Sequence, residues 1–125
     1  MNRAVPFLLA LPLAACSAPS GAGTPTGEAV FRKCAICHRI GPSEGNAIGP
    51  NLHGVVGRKA ASLPDFHYSP AMRATGFTWD EKTLDRYLAA PQQVVPGTKM
   101  TFSGLPDAAS RKAVIAYLKR NSPKR

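Results

Sequence analysis

Residues 33 to 42 read KCAICHRIGP. Two thiols, Cys34 and Cys37, stand three positions apart, and the imidazole of His38 follows at once. The chain has 3 cysteines in all, so this cluster holds most of its sulfur chemistry. Three uses fit such a group: a redox disulfide, a metal site, or the covalent attachment of a haem. A thioredoxin-like C-x-x-C belongs after a strand, within a βαβ unit. No alternating strand pattern precedes this one. A structural zinc site needs about four ligands. The cluster offers three, with Cys37 and His38 pointing different ways on a helix, and there is no second cysteine pair. Haem attachment fits best: the thiols add to two vinyl groups as thioethers, and the next residue supplies a proximal imidazole.

Iron held by His38 then has a sixth position, filled or open. Met72, Met100, His53 and His67 are the candidates. Met100 lies in a loop after Pro96, Gly97 and Thr98 and just ahead of Phe102 and Gly104. A lone methionine more often fills core than ligates metal, so on spacing alone core filling is the reading that wins.

These residues must be positioned by a small chain. At 125 residues it is one domain, with 12 prolines and a modest core that a large cofactor would help to fill. Its 16 basic against 7 acidic residues give a formal net charge of +9, which favours an acidic partner such as nucleic acid, an anionic membrane or an acidic protein face. The first residues form a separate object. Arg3, an apolar run from Ala4 to Ala15, and then Cys16 read as an export signal, residues 1–15, too short to span a bilayer. Leu13, Ala14, Ala15 and Cys16 resemble the bacterial lipobox, which implies lipidation of Cys16. Residues 16–26, rich in Ser, Ala, Pro, Gly and Thr, read as a flexible tether, leaving 27–125 as the folded domain. Export agrees with haem attachment, since c-type haem is attached outside the cytoplasm.

Within the domain, Thr26 caps a helix expected from Gly27 to about Cys37, with Val30, Phe31 and Cys34 on one side. Ser69 and Pro70 open a short helix. Thr78 and Glu81 form a capping-box pattern ahead of a helix striped by Leu84, Tyr87 and Leu88, which ends before Pro91. A last helix runs from near Asp107 to about Arg120, striped by Val114, Tyr117 and Leu118. The rest reads as loop, more than a compact domain carries unless something else orders it.

With these pieces in place the sequence resembles the class I c-type cytochromes, of the mitochondrial and bacterial c2 kind. The likeness rests on CAICH, GPNLHGVVGRKA, TW, YLAAP, VPGTKMTFSG and VIAYLK, in the family's order from residue 27 to about 120. It implies an all-α cytochrome c fold, with three main helices and long loops wrapped around one covalently bound haem c. Cys34 and Cys37 would hold that haem, and His38 and Met100 would ligate its iron. The Pro50 carbonyl would accept from the other ring nitrogen of His38. Arg58, Tyr68, Trp79 and Thr98 would surround the propionates, Tyr87 would reach the Met100 sulfur, and Phe102 would pack beside the exposed edge.

The resemblance implies a one-electron carrier, not an enzyme. A peroxidase or gas-binding haem protein is the alternative if Met100 is labile, and a fixed subunit of a larger complex is another. The implied partners are redox proteins such as a quinol–cytochrome c reductase and a terminal oxidase or reaction centre, met by a monomer with no nucleic acid involved. The implied location is the periplasmic side of a bacterial membrane, lipid-anchored or else soluble. Three departures stand out. Met72 replaces a frequent Asn, Gln92 and Gln93 replace a lysine pair, and Pro106, Asp107 and Ala108 replace a lysine run.

Overall fold

Thr26 opens the first helix by accepting the Ala29 amide on its hydroxyl at 3.2 Å. The computed structural model describes residues 23–124. The export signal, Cys16 and the tether up to residue 22 lie outside them, as does Arg125. Among the described residues five helices follow in order: α1 (Gly27–Phe31), α2 (Pro70–Ala74), α3 (Glu81–Ala89), α4 (Pro91–Val94) and α5 (Ala108–Arg120). Among the described residues the one β-pairing is an isolated bridge between Lys59 and Thr78.

Three places differ from the sequence reading. The first helix stops at Phe31 rather than near Cys37. Beyond it the amides of Lys33 and Cys34 bond three residues back, to Val30 and Phe31, so the chain tightens into successive turns. The cap of α3 is Asp80, whose Oδ1 accepts the Thr83 amide at 2.7 Å, not Thr78. Thr78 belongs to the bridge with Lys59, which leaves the cap to the carboxylate two residues on. The stretch after Pro91 forms the short helix α4 with proline at its start, a length no periodicity reveals. Ser69 and Pro70 open α2, and Asp107 caps α5, as expected.

Helices α1 and α3 both pack on α5. The α1 contact depends on Gly27: a Cβ there would collide with the Ala113 carbonyl oxygen and stand 2.6 Å from Tyr117 Cβ. The rings of Phe31 and Tyr117 meet at 5.1 Å. Against α3, Arg111 Nε donates to Asp85 at 2.8 Å and its Nη1 donates to the carbonyls of Leu105 and Pro106. Val30, Leu84, Leu88, Val114 and Leu118 are buried between these helices. Each such side chain contributes on the order of 1.5–3 kcal/mol through removal from water. One face of this helical corner is left to line a cavity, and the long loops close around it.

Candidate functional site

The turns after α1 set the first group of side chains. The His38 amide bonds to the Cys34 carbonyl at 2.8 Å and the Cys37 amide to the same oxygen at 3.0 Å, which closes the C-x-x-C-H segment on itself. Loop 47–52 is then laid beside it, with Gly49 N to Cys37 O at 2.7 Å and Leu52 N to Arg39 O at 2.9 Å. This brings the Pro50 carbonyl to 2.7 Å from His38 Nδ1. Proline supplies the acceptor, so Nδ1 carries the proton and Nε2 is left with its lone pair. Burial holds the imidazole below its usual pKa, and the nearby Arg58 adds to this, so the ring is neutral and fit to ligate a metal. Gly49 is required by the packing: a Cβ there would collide with the imidazole, standing 2.7 Å from Nδ1.

The segment carrying Met100 leaves α4 through Gly97, at φ +87°, a conformation that favours glycine. The Met100 amide donates to Thr98 Oγ1 at 3.3 Å. Thr98 Oγ1 lies 2.9 Å from Tyr87 Oη, and Tyr87 Oη lies 3.9 Å from the Met100 sulfur. A consistent chain of protons runs from Thr98 to Tyr87 and from Tyr87 to sulfur. Burial pushes the Tyr87 phenol above its usual pKa, so it stays a donor. Gln92 Nε2 donates to the Met100 carbonyl at 2.8 Å, and Lys99 Nζ donates to the His67 carbonyl at 2.7 Å.

Both segments face one cavity of about 400 Å³. Every site residue named from the sequence within the described range lines it: Cys34, Cys37, His38, Pro50, Arg58, Tyr68, Trp79, Tyr87, Thr98, Met100 and Phe102. Its apolar wall comes from Leu52, Leu84, Leu88, Val114 and Leu118, and from Met72. The helical stripes signal Leu84, Leu88, Val114 and Leu118 as core; Leu52 carries no signal beyond its motif. Neither His53 nor His67 lines the cavity. His53 instead sets Nδ1 3.1 Å from the Ile40 carbonyl.

Arg58 is buried, with Nη1 and Nη2 donating to the carbonyls of His53 and Asn51. Tyr68 Oη accepts the Leu63 amide at 3.4 Å. Trp79 is buried, tilted against Tyr87 at 4.9 Å. At the mouth stand Ile36 and Ile48, 77% and 78% exposed, with the exposed Lys33 and Lys99. No carboxylate lines the cavity.

Cys34 and Cys37 are free thiols, and burial pushes the Cys34 thiol up despite the neighbouring Lys33. Among the described residues no group of three or more His, Cys, Asp or Glu side chains converges as a metal cage. The donor set has a different composition. Two thiols, a neutral imidazole and a thioether surround an apolar space, and a guanidinium, a phenol and an indole N–H meet any acidic groups at its wall. A haem fits each of these features: its vinyls the thiols, its iron the nitrogen and sulfur, its carboxylates the polar wall.

A helical corner closed by loops around such a cavity defines a haem-binding electron-transfer domain. Comparison with known proteins makes this more particular. The chain is 54% identical over 98 residues to cytochrome c2 of Rhodoblastus acidophilus, covering 78% of this chain and 92% of that one. It is 46% identical over 93 residues to cytochrome c of Stellaria longipes, covering 74% and 86%. The structure of cytochrome c2 from Rhodospirillum centenum superposes with a TM-score of 0.74 at 40% identity, covering 78% of this chain and 96% of that one. No protein-family model matches the chain. The chain belongs to the class I c-type cytochromes, of the cytochrome c2 kind. It is a one-electron carrier and not an enzyme, and its cofactor is a covalently held haem c.

Proposed function

We propose that Cys34 and Cys37 hold the haem as thioethers and that His38 and Met100 are its axial ligands. The observation that carries this is the convergence of two thiols, an oriented neutral imidazole and a hydrogen-bonded thioether on one apolar cavity. The bound group supplies an iron that gains or loses one electron. The chain's residues do the rest. Pro50 fixes the plane and basicity of the His38 ring. Tyr87 and Thr98 orient the Met100 sulfur. Arg58, Tyr68 and Trp79, with Thr98, face the propionates, while Phe102 and the helical leucines exclude water. With both axial positions taken, no site is open to a substrate. Denatured and washed with acidic organic solvent, the protein should keep its haem. Cys34→Ser/Cys37→Ser protein should release its haem or never acquire it, and haem retention by that variant would overturn the attachment.

The mouth bearing Ile36, Ile48, Lys33 and Lys99 is the docking face for acidic redox partners, on the model of a quinol–cytochrome c reductase on one side and a terminal oxidase or reaction centre on the other. Steering by these cations weakens as salt screens charges beyond about 10 Å at 0.1 M. Charge reversal at Lys33 or Lys99 should slow electron transfer more than reversal at Lys119 or Lys124. Equal losses at all four would mean that only net charge counts.

The remaining part of the reading concerns location. The basic start, the apolar run and LAAC ending at Cys16 support export to the periplasm and lipidation of Cys16, with residues 16–26 as tether. No helix among the described residues is long and apolar enough to cross a membrane. Cys16→Ser should shift the protein out of the membrane fraction or block its processing, and leave its visible spectrum unchanged. Wild-type protein wholly in the soluble periplasmic fraction, with no acyl mass on its N-terminal peptide, would refute the anchor.

A further inference from the structure

The segment from 99 to 104 passes the cavity without regular structure. Its ends are tied to main chain: Thr98 N bonds to Val95 O at 3.0 Å, and Leu105 N bonds to Leu88 O at 2.7 Å. Between them, among the described residues, no main-chain group bonds to another main-chain group. The Met100 peptide therefore depends on side chains. Thr98 takes its amide and Tyr87 approaches its sulfur. The third partner is Gln92, an exposed residue of α4, whose Nε2 donates to the Met100 carbonyl at 2.8 Å. Gln93 beside it is also exposed, and no hydrogen bond from its side chain accompanies that of Gln92. One amide side chain thus reaches from a helix to the carbonyl of the residue that must not move.

We infer that Gln92 is a positioning residue, a clamp that holds the Met100 segment closed over the cavity and slows the departure of the Met100 sulfur. This rests on the reading of Met100 as an axial ligand. A carbonyl that loses this donor turns toward water, and the peptide can rotate about Thr98 and Gly104. The sulfur then leaves more often, and the iron position it covered opens to outside ligands. Gln92 thereby keeps the site a carrier rather than one that takes up small molecules.

The test uses the haem-loaded protein and imidazole as the outside ligand. At saturating imidazole the rate of binding to the oxidised protein reads the rate at which the native ligand leaves. Gln92→Glu keeps the shape but replaces the donor by an acceptor; Gln92→Ala removes both. Each should raise that rate about two- to tenfold, the range one net hydrogen bond commands. Gln92→Lys keeps a donor of similar reach and should stay near the wild-type rate. Gln93→Glu makes the same charge change one residue away and should do so too.

Amide exchange at residues 99–101 should speed up in Gln92→Glu and Gln92→Ala and not in Gln93→Glu. This second readout reports the clamp whether or not Met100 is the ligand. If Gln92→Glu exchanges and binds imidazole as wild type does, the clamp is wrong. If Gln92→Lys behaves as Gln92→Ala, the donor has no role and the inference fails equally. Faster exchange in Gln92→Glu together with an unchanged imidazole rate would keep the clamp and overturn its link to the iron.

Discussion

His38 and Met100 line the same cavity, yet the loop behind His38 is held by main-chain hydrogen bonds together with side chains, whereas between residues 99 and 104 the segment around Met100 has side-chain partners alone. On the His38 side, the bonds from Gly49 to Cys37 and from Leu52 to Arg39, with the closed turn at Cys34, deliver the Pro50 carbonyl to the imidazole. Side chains reinforce that loop as well, with Asn46 accepting the Asn51 amide at 2.8 Å and Arg58 donating to the Asn51 and His53 carbonyls, and at Gly49 backbone and ring touch. On the Met100 side, Tyr87, Thr98 and Gln92 each carry one bond to Met100, and each can be lost by one substitution. One wall has main-chain bonds beneath its side-chain contacts, and the other rests on residue identity alone. The difference predicts which ligand exchanges first under stress and where variation among related chains would tune the carrier.

The largest effects expected from single substitutions are at two glycines, one on each wall, and on the His38 side it is Gly49. Gly49→Ala should push the His38 ring off its Pro50 bond and cost about 1–3 kcal/mol in denaturant stability, as overpacking of a filled site does. If this variant is as stable as wild type, the wall behind His38 is softer than its main-chain bonds imply. On the Met100 side it is Gly104, at φ +112°, where a Cβ would meet the backbone carbonyls of Ala89 and Leu88. Gly104→Ala should destabilise the protein by at least as much as Gly49→Ala and raise the imidazole rate as well, because it displaces one end of the Met100 segment.

Tyr87→Phe sharpens the comparison through pH. Burial holds the Tyr87 phenol above its ordinary value of 10.0. The folded state therefore keeps a proton that the unfolded chain releases sooner, so this contribution is complete below pH 10 and fades as pH rises through the raised value. Denaturant titrations should show wild-type stability falling in that alkaline window, and Tyr87→Phe should flatten part of the fall. An identical slope in both proteins would detach Tyr87 from the Met100 wall.

The smallest effect concerns the frame that both walls share. Ser110 and Ala109 bond the Asp107 carboxylate at the start of α5, and the Ser110 hydroxyl is the main reason its pKa lies below the ordinary carboxylate value. A lowered folded pKa gives stability that is present above the ordinary value of 3.8 and lost as pH falls through the folded one. Asp107→Asn, which keeps a capping oxygen, should lose only the acid-sensitive part. A drop in stability that is independent of pH would point to the cap geometry rather than the charge.

How much of this was legible in the sequence follows from the same comparison. The chemistry-bearing residues sit in short local motifs, so the thiols, His38, Pro50 and Met100 could be named from spacing and resemblance, and the cavity brings them together. The helices α3 and α5 were legible because each carries an apolar stripe at i, i+3, i+4 spacing, Leu84, Tyr87 and Leu88 in one and Val114, Tyr117 and Leu118 in the other. The cap of α3 was misread because Thr78 satisfies the pattern locally, while its backbone pairs with Lys59 in a contact across nineteen positions that no local pattern reports. Helix α1 was drawn too long because Cys34 continues its stripe, although the chain there tightens into turns. Gln92 was legible only as a missing lysine. Its bond to a carbonyl eight residues on leaves no periodic or compositional trace.

The proposed ligation turns on which sulfur faces the iron. Met100 and Met72 both line the cavity, and the hydrogen-bonded one is Met100. The deciding measurement is the red to near-infrared absorption of the oxidised haem protein, in wild type, Met100→Ala and Met72→Ala. Met100 ligation gives a weak sulfur-to-iron charge-transfer band in wild type, kept in Met72→Ala and lost in Met100→Ala. A band absent from wild type, or lost in Met72→Ala and kept in Met100→Ala, would contradict it.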